Sequence, residues 1–436
     1  MGVAVPSTFV SIGDLFSVKN ALQTMYNNQN SVTGAFPEAG PPLLQQGSDT
    51  YHMWTMIGTY NYLLYSNDTA FLQENWSKYL LAMKFIYGKV TYASGLLDVT
   101  GLRDWARWQT GFNGSEPQMM YASPNFSSTM RQLTSDSLYH TLLTGADLAI
   151  WAEDKTNLTS LWTSQAAKLK VAINEYCFDE AYGSFKDNAT ATTLHPQDAN
   201  SMAVLFGAVN SSSRAQSIST NLLKNWTPIG AESPELPGNI SPFISSFEIQ
   251  AHLTIGETQR ALDLIRISWG WYLNNANGTG STVIEGYLTD GSFGYRANRG
   301  YDYDASYVSH SHGWSSGPTS ALTEYVLGLS VTSPAGAAWK LAPQFGDLTT
   351  VEGGFVTSLG KYQASWATRA GGYELSFNTP AGTEGVVVLP VLSHGRFPTI
   401  KIDGQNVPRS CNPRISESGN GVVLDVEGGS HMIVVG

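Results

Sequence analysis

Cysteine, charge and long apolar runs are all scarce in this chain. Its 436 residues hold two cysteines, Cys177 and Cys411. That excludes a disulfide-stapled scaffold and leaves one bridge or two separate thiols as equal readings. Charged residues make up 14%, well below the roughly 25% usual in soluble proteins. Lys and Arg number 24 against 35 Asp and Glu, for a net charge of −11. No basic face is available, so nucleic acid is excluded as a partner. No apolar run reaches the roughly 18 residues of a membrane-spanning helix. The eight histidines include none in an H-E-x-x-H frame, so no metal or other cofactor is expected.

What is present is apolar, aromatic and neutral-polar. Hydrophobic residues are 42% and aromatics 11%, with 12 Trp and 21 Tyr. Few charges beside many aromatic and small polar residues suit an extracellular carbohydrate-active protein. Ten positions match N-x-[ST]: Asn67, Asn75, Asn113, Asn125, Asn157, Asn188, Asn210, Asn225, Asn239 and Asn277. Chance gives about four, so the excess points to a secreted glycoprotein. The opening "MGVAVPSTFVSIG" lacks the basic and long apolar regions of a signal peptide. A truncated N-terminus is the expectation.

Residues 1–333 read as paired helices. Ser48 or Asp49 is a fitting N-cap for "SDTYHMWTMIGTYNYLLYSND". Leu72, Trp76, Leu80 and Phe85 fall near one face of the next helix. Leu138, Leu142 and Ala146 recur at helical spacing, as do Leu169, Ile173 and Cys177. Ten or eleven such helices, joined as αα-hairpins, suit an (α/α)6 toroid with long loops, 88–128 and 273–312, at its mouth. From Pro334 the pattern changes to short alternating runs such as "KYQASWATR" and "YELSFNT". Residues 334–436 are therefore expected to form an antiparallel β-sandwich.

The stretch "SHSHGWSSGP", residues 309–318, admits three chemistries. His310 and His312 could clamp a metal, but a third ligand is not evident. Gly313, Ser315 and Gly317 spell a nucleophile elbow, yet that needs a preceding strand and an α/β sheet. A sugar pocket is the third, and Glu285 in "STVIEGY" supports it. A carboxylate among apolar and aromatic residues can serve as a general base, although a solvated loop glutamate is the commoner case.

"TVIEGY", "SHSHGWSSGPTSALTEYVLGL" and "AAWKLAPQ", in that order, resemble the α-L-rhamnosidases, inverting six-hairpin glycosidases, with fungal members most similar. "QQGSDTYHMW" and "GLRDWARWQTG" resemble that family's substrate-side loops. The resemblance spans essentially the whole chain. It implies rhamnosides as the carbohydrate partner and Glu285 as the base that activates water. It implies His312 as a ligand of the sugar hydroxyls, Asp104 and Trp105 as pocket wall, and Trp54 as a sugar-packing ring. Trp108 and Trp314 are neighbours without a firm match, and core packing is the plainer reading of each tryptophan. In the family an Arg- and acid-rich motif carrying the general acid precedes the helix matched by "VPSTFVSIGDLFSVKNAL". This chain begins after it. The expectation is a toroid lacking its first segment, weak or inactive alone, whose N-terminal portion is a missing partner. A catalytically inactive rhamnoside-binding homologue is one alternative. Another (α/α)6 glycosidase or a sugar phosphorylase is a second, although the Glu285 loop offers phosphate only Arg296 and Arg299.

Overall fold

The computed structural model describes residues 1–98, 131–189, 192–296, 301, 303–391, 399–407, 414–415 and 421–436. Local signals place the helices. Ser48 caps α3 (Asp49–Ser66) by accepting from the Tyr51 N–H at 3.0 Å. Asp49 is therefore not the cap; it is buried and paired with Lys89. Asn67 ends α3 in the left-handed region (φ 56°), and Asp68 at once caps α4 (Thr69–Tyr87) through the Phe71 N–H. One dipeptide thus closes one helix and opens the next, which is why the hairpin turn is so short.

Among the described residues, six helices form an inner ring. They are α1 (Ala4–Ser11), α3, α5 (Arg131–Trp151), α7 (Gln197–Leu205), α9 (Pro242–Thr254) and α11 (Gly317–Ala321). Each touches the next, and α11 touches α1. α1 meets α11 directly, and Ser7 Oγ donates to the Ser316 carbonyl at 2.8 Å. Outside lie α2 (Phe16–Asn27), α4, α6 (Leu158–Tyr176), α8 (Ser212–Leu222) and α10 (Thr258–Leu273). Strand Thr350–Thr357 of the sandwich packs against α1. Phe9 of α1 lies flat on Tyr65 at 4.0 Å and meets Phe355 at 4.8 Å.

The expected core stripes of α5 and α6 hold, with Leu138, Leu142, Ala146, Leu169, Ile173 and Cys177 buried. On α4 the expected Leu72 is buried, but the rest of the buried face is rotated from the expected one. Phe71, Asn75, Tyr79, Met83 and Ile86 face inward, while Trp76, Leu80 and Phe85 flank them. The Trp76 indole goes to the rim because its N–H reaches Asp154 at 2.9 Å.

A π-helical turn, Leu322–Leu327, ends at Gly328 (φ 88°) and leads into the sandwich. A side chain at Gly328 would strike the Ala342 backbone at 2.3 Å. The sandwich opens with Leu329–Val331, ahead of Pro334, paired to Ala338–Leu341. One sheet runs Arg414–Ile415, Gly421–Glu427, Glu384–Pro390, Ala338–Leu341, Leu329–Val331. The other runs Gln405–Asn406, Ile400–Ile402, Ser430–Val435, Gly372–Asn378, Gly360–Arg369, Thr350–Thr357. The sheets are not wholly antiparallel as expected. Ala338–Leu341 and Glu384–Pro390 pair in parallel, because the chain crosses into the second sheet between them.

At the joint, Tyr65 Oη donates to Glu324 Oε1 at 3.1 Å, tying α3 to the π-helical turn. Burial raises the Glu324 carboxyl to about 7. A raised folded value favours the neutral acid, so this contribution to stability is complete below about 4.5 and is lost as pH rises through about 7. Thermal melts should therefore show a higher Tm at pH 5 than at pH 8 from this group. Glu324→Gln, which still accepts from Tyr65, should remove that part of the difference. A pH dependence unchanged in the variant would refute the assignment.

Candidate functional site

The inner helices and their loops enclose a cavity of about 280 Å³. Its wall includes Thr50, Tyr51 and Trp54 of α3, Met202 of α7, Phe243 of α9, and Glu38, His312 and Trp314 from loops. Three of the sequence-expected residues, Trp54, His312 and Trp314, thus meet at one pocket. The rings form a continuous wall. Trp54 lies flat on Phe247 at 5.4 Å, and Phe243 touches both. Phe243 lies flat on Trp314 at 4.9 Å, and Trp314 meets the His312 ring at 4.4 Å. Both tryptophans are half-buried, so they pack against other rings and still present a surface. A larger open groove of about 760 Å³ lies on the sandwich around Glu352, Asp403 and His431, and holds none of the expected residues.

Glu285 stands just behind this wall, 2% exposed. Its backbone is fixed from both sides: its N–H donates to the Ser309 carbonyl at 2.8 Å, and its carbonyl accepts from Trp314 Nε1 at 3.0 Å. Ser315 Oγ donates to the neighbouring Ile284 carbonyl at 2.7 Å. Ser315 is fully buried in that contact, so the G-x-S-x-G serine braces the segment that carries Glu285 and is no nucleophile. The Glu285 carboxylate is not lone. Oε1 accepts from the Tyr301 hydroxyl and Oε2 from the Ser309 N–H at 3.1 Å. A carboxylate offers about four acceptor positions, so acceptor capacity remains beyond these two donors.

His312 Nδ1 lies 3.9 Å from Glu285 Oε2, beyond a direct hydrogen bond and within reach of a bridging water. Burial lowers the His312 pKa below the usual 6.5, opposed by Glu285 and assisted by Arg296. The ring is therefore neutral at pH 7, with one donor and one acceptor nitrogen. Burial and the neighbouring Glu285 carboxylate both hold the Tyr301 hydroxyl above its ordinary value, so it stays a proton donor to that carboxylate. His310 turns elsewhere: Nδ1 pairs with Tyr272 Oη at 2.9 Å and its ring meets Phe293 edge-on. The two histidines of the H-x-H do not converge. Among the described residues no group of His, Cys, Asp and Glu is placed to hold a metal, and no helix is long and apolar enough to cross a membrane.

Asp104, Trp105 and Trp108, like Arg299, lie outside the described residues, as do Asn113, Asn125 and Cys411. Cys177 is buried at the end of α6. Three of the sequon asparagines are buried. Asn75, Asn188 and Asn239 are 1%, 3% and 5% exposed. Asn75 sits one turn after Phe71 on the buried face of α4, and its amide donates to the Phe71 carbonyl and to Gln23. Asn67, Asn157, Asn210 and Asn277 are exposed, and Asn225 is half-buried.

Sequence reasoning missed Tyr301, Phe243 and Glu38. Tyr301 opens the aromatic run "YDYDASYV", but nothing local pairs it with Glu285. Phe243 and Glu38 belong to "SPFISS" and "FPEAGPP", ordinary helix-start and turn sequences that carry no chemical signal.

No curated protein sequence matches this chain. The fold resembles that of the α-L-rhamnosidase from Dictyoglumus thermophilum (16% identity, TM-score 0.70), covering 100% of this chain and 46% of that one. The Streptomyces avermitilis α-L-rhamnosidase complexed with L-rhamnose gives 16% identity and TM-score 0.70 over 99% of this chain and 37% of that one. The native Aspergillus terreus enzyme gives 19% and 0.68 over 99% and 44%. This chain thus spans less than half of each of these proteins. A model described as the bacterial α-L-rhamnosidase six-hairpin glycosidase domain matches residues 5–231, and one for the bacterial α-L-rhamnosidase C-terminal domain matches 328–398. With more than half of its length matched by the first of these, the chain belongs to the α-L-rhamnosidase six-hairpin glycosidase family.

Proposed function

We propose that this chain is the catalytic barrel of an α-L-rhamnosidase, akin to the fungal enzymes, which removes terminal α-L-rhamnosyl residues with inversion. The observation that carries the reading is Glu285, held by Tyr301 and Ser309 behind the His312 and Trp314 wall of the toroid's pocket. Inversion requires a base that takes a proton from water as the water oxygen attacks the anomeric carbon. Meanwhile the glycosidic oxygen leaves with a proton from an acid on the other face. Glu285 suits the first task, because two fixed donors orient its carboxylate before the water arrives. Neutral His312 suits hydrogen bonding to the sugar hydroxyls, and Trp54 and Trp314 suit its apolar faces. The test is hydrolysis of an aryl α-L-rhamnoside by the full chain, with the anomer first released followed by NMR. Release of the inverted sugar supports the reading; retention or no turnover defeats it.

A second reading, rhamnoside binding without turnover, is favoured by the lining itself. Among its described residues Glu38 is the sole carboxylate. Calorimetry showing rhamnose binding without hydrolysis would select it.

We infer in addition a secreted glycoprotein. Glycans are expected on the exposed Asn67, Asn157, Asn210 and Asn277, and none on Asn75, Asn188 or Asn239. Peptide mapping of protein secreted from a eukaryotic host, before and after enzymatic deglycosylation, reads occupancy at each site. A glycan on Asn75 in folded protein would contradict its burial.

A further inference from the structure

The pocket holds a charged group that the mechanism above does not use. Glu38 lies between α2 and α3 on a loop that is well fixed. Asn30 Oδ1 accepts from the Val32 and Thr33 N–H groups, each at 3.0 Å. Gln29 Nε2 donates to the Gly34 and Lys78 carbonyls, both at 2.9 Å. The Phe36 N–H donates to His52 Nδ1 at 3.0 Å, and His52 Nε2 faces the Ala82 carbonyl at 3.1 Å. Fully buried His52 is kept neutral, since burial lowers its pKa to about 3. It therefore pins the loop from α3 to α4 with one acceptor and one donor nitrogen. Two residues on, the Glu38 N–H donates to the Gln45 carbonyl at 2.7 Å. The side chain is thus delivered to the cavity wall shared with Tyr51, Trp54, His312 and Trp314.

That wall is mostly apolar, with methionines and aromatic rings beside a few hydroxyls. A sugar entering it must exchange water for protein partners at every hydroxyl, or lose affinity. A carboxylate is the strongest acceptor available for this. Its two oxygens match vicinal hydroxyls, and hydrogen bonds to an ionised group are stronger than neutral ones.

We propose that Glu38 is a sugar-binding residue of this pocket, accepting hydrogen bonds from ring hydroxyls of the bound monosaccharide. The assignment rests on the rhamnoside reading and deepens it. It gives the pocket lining a carboxylate whose work is recognition, while Glu285 behind the wall activates water.

The experiment is calorimetric titration of the full chain with methyl α-L-rhamnoside and its mono-deoxy analogues, comparing wild type with Glu38→Gln. Thermal melting of both checks the fold, and Glu38→Asp, which shortens the reach by one methylene, serves if the amide variant unfolds. Loss of charge-assisted hydrogen bonds should weaken binding about 10- to 100-fold. One deoxy analogue, lacking the contacted hydroxyl, should bind both proteins alike. Unchanged affinity in Glu38→Gln would overturn the assignment and leave the rhamnoside reading intact. An equal loss for every analogue would reduce Glu38 to loop support. Unchanged binding with lost turnover, confined to poor leaving groups, would make it a proton donor instead. Wild type that binds no rhamnoside would defeat the rhamnoside reading, and this assignment with it.

Discussion

Glu285→Gln is expected to lower rhamnoside hydrolysis by about 10²- to 10⁴-fold, the usual worth of a positioned general base. The fold should survive. The amide oxygen can accept from the Ser309 N–H, and the amide nitrogen can donate to the Tyr301 hydroxyl, which turns to accept it. Both contacts of the wild-type carboxylate are thereby replaced in kind. The Glu285 backbone bonds to Ser309 and Trp314 do not involve the side chain and should persist. The measurement is kcat and KM on an aryl rhamnoside, with a melt as control. A fall in kcat with little change in KM marks a group acting mainly in the transition state. A variant with near-normal kcat would remove Glu285 from the mechanism.

The largest effect on stability is expected at Glu248. This fully buried carboxylate lies on α9. Oε2 accepts from Gln197 Nε2 at 2.6 Å, and Oε1 accepts from Trp226 Nε1 at 2.6 Å with His252 Nε2 at 3.3 Å. Beyond it, His252 Nδ1 meets Ser219 Oγ at 2.7 Å, and Arg260 Nη1 donates to the same hydroxyl at 2.7 Å. The network joins α7, α8, α9 and α10, and α7 and α9 supply Met202 and Phe243 to the pocket. Glu248→Leu leaves buried donors without acceptors, each costing about 1–3 kcal/mol, so a loss of about 3 kcal/mol or more is expected. Denaturant unfolding measures it. Glu248→Gln should recover part of the loss, because its oxygen still serves one donor. A leucine variant as stable as wild type would show that the network is dispensable.

Much of the architecture was legible in the sequence because it depends on local physics. Helical spacing at Leu138, Leu142 and Ala146 and a cap at Ser48 or Asp49 are each set by neighbours within a few residues. The change to alternating short runs marked the sandwich for the same reason, although its first strand, Leu329–Val331, lies inside what reads as the end of a helix. The face of α4 was misjudged. Asn75 looks polar on paper, but its amide is satisfied by Phe71 and Gln23, so burying it there costs little.

The motif around Glu285 and His312 was found because both fall on one continuous loop region. Trp54 joined them only through its likeness to known loops. By itself the sequence determined that the chain is a helical array followed by a sandwich, with a carboxylate and a histidine loop between them. The tertiary structure alone decided that α1 closes the ring against α11, that Tyr301 and Ser309 hold the Glu285 carboxylate, and that Glu38 reaches the same cavity. The ring contact and the approach of Glu38 join residues far apart in the chain, fixed by which helix faces pack together, while the Tyr301 and Ser309 contacts depend on how one long loop folds back on itself. No local propensity encodes either.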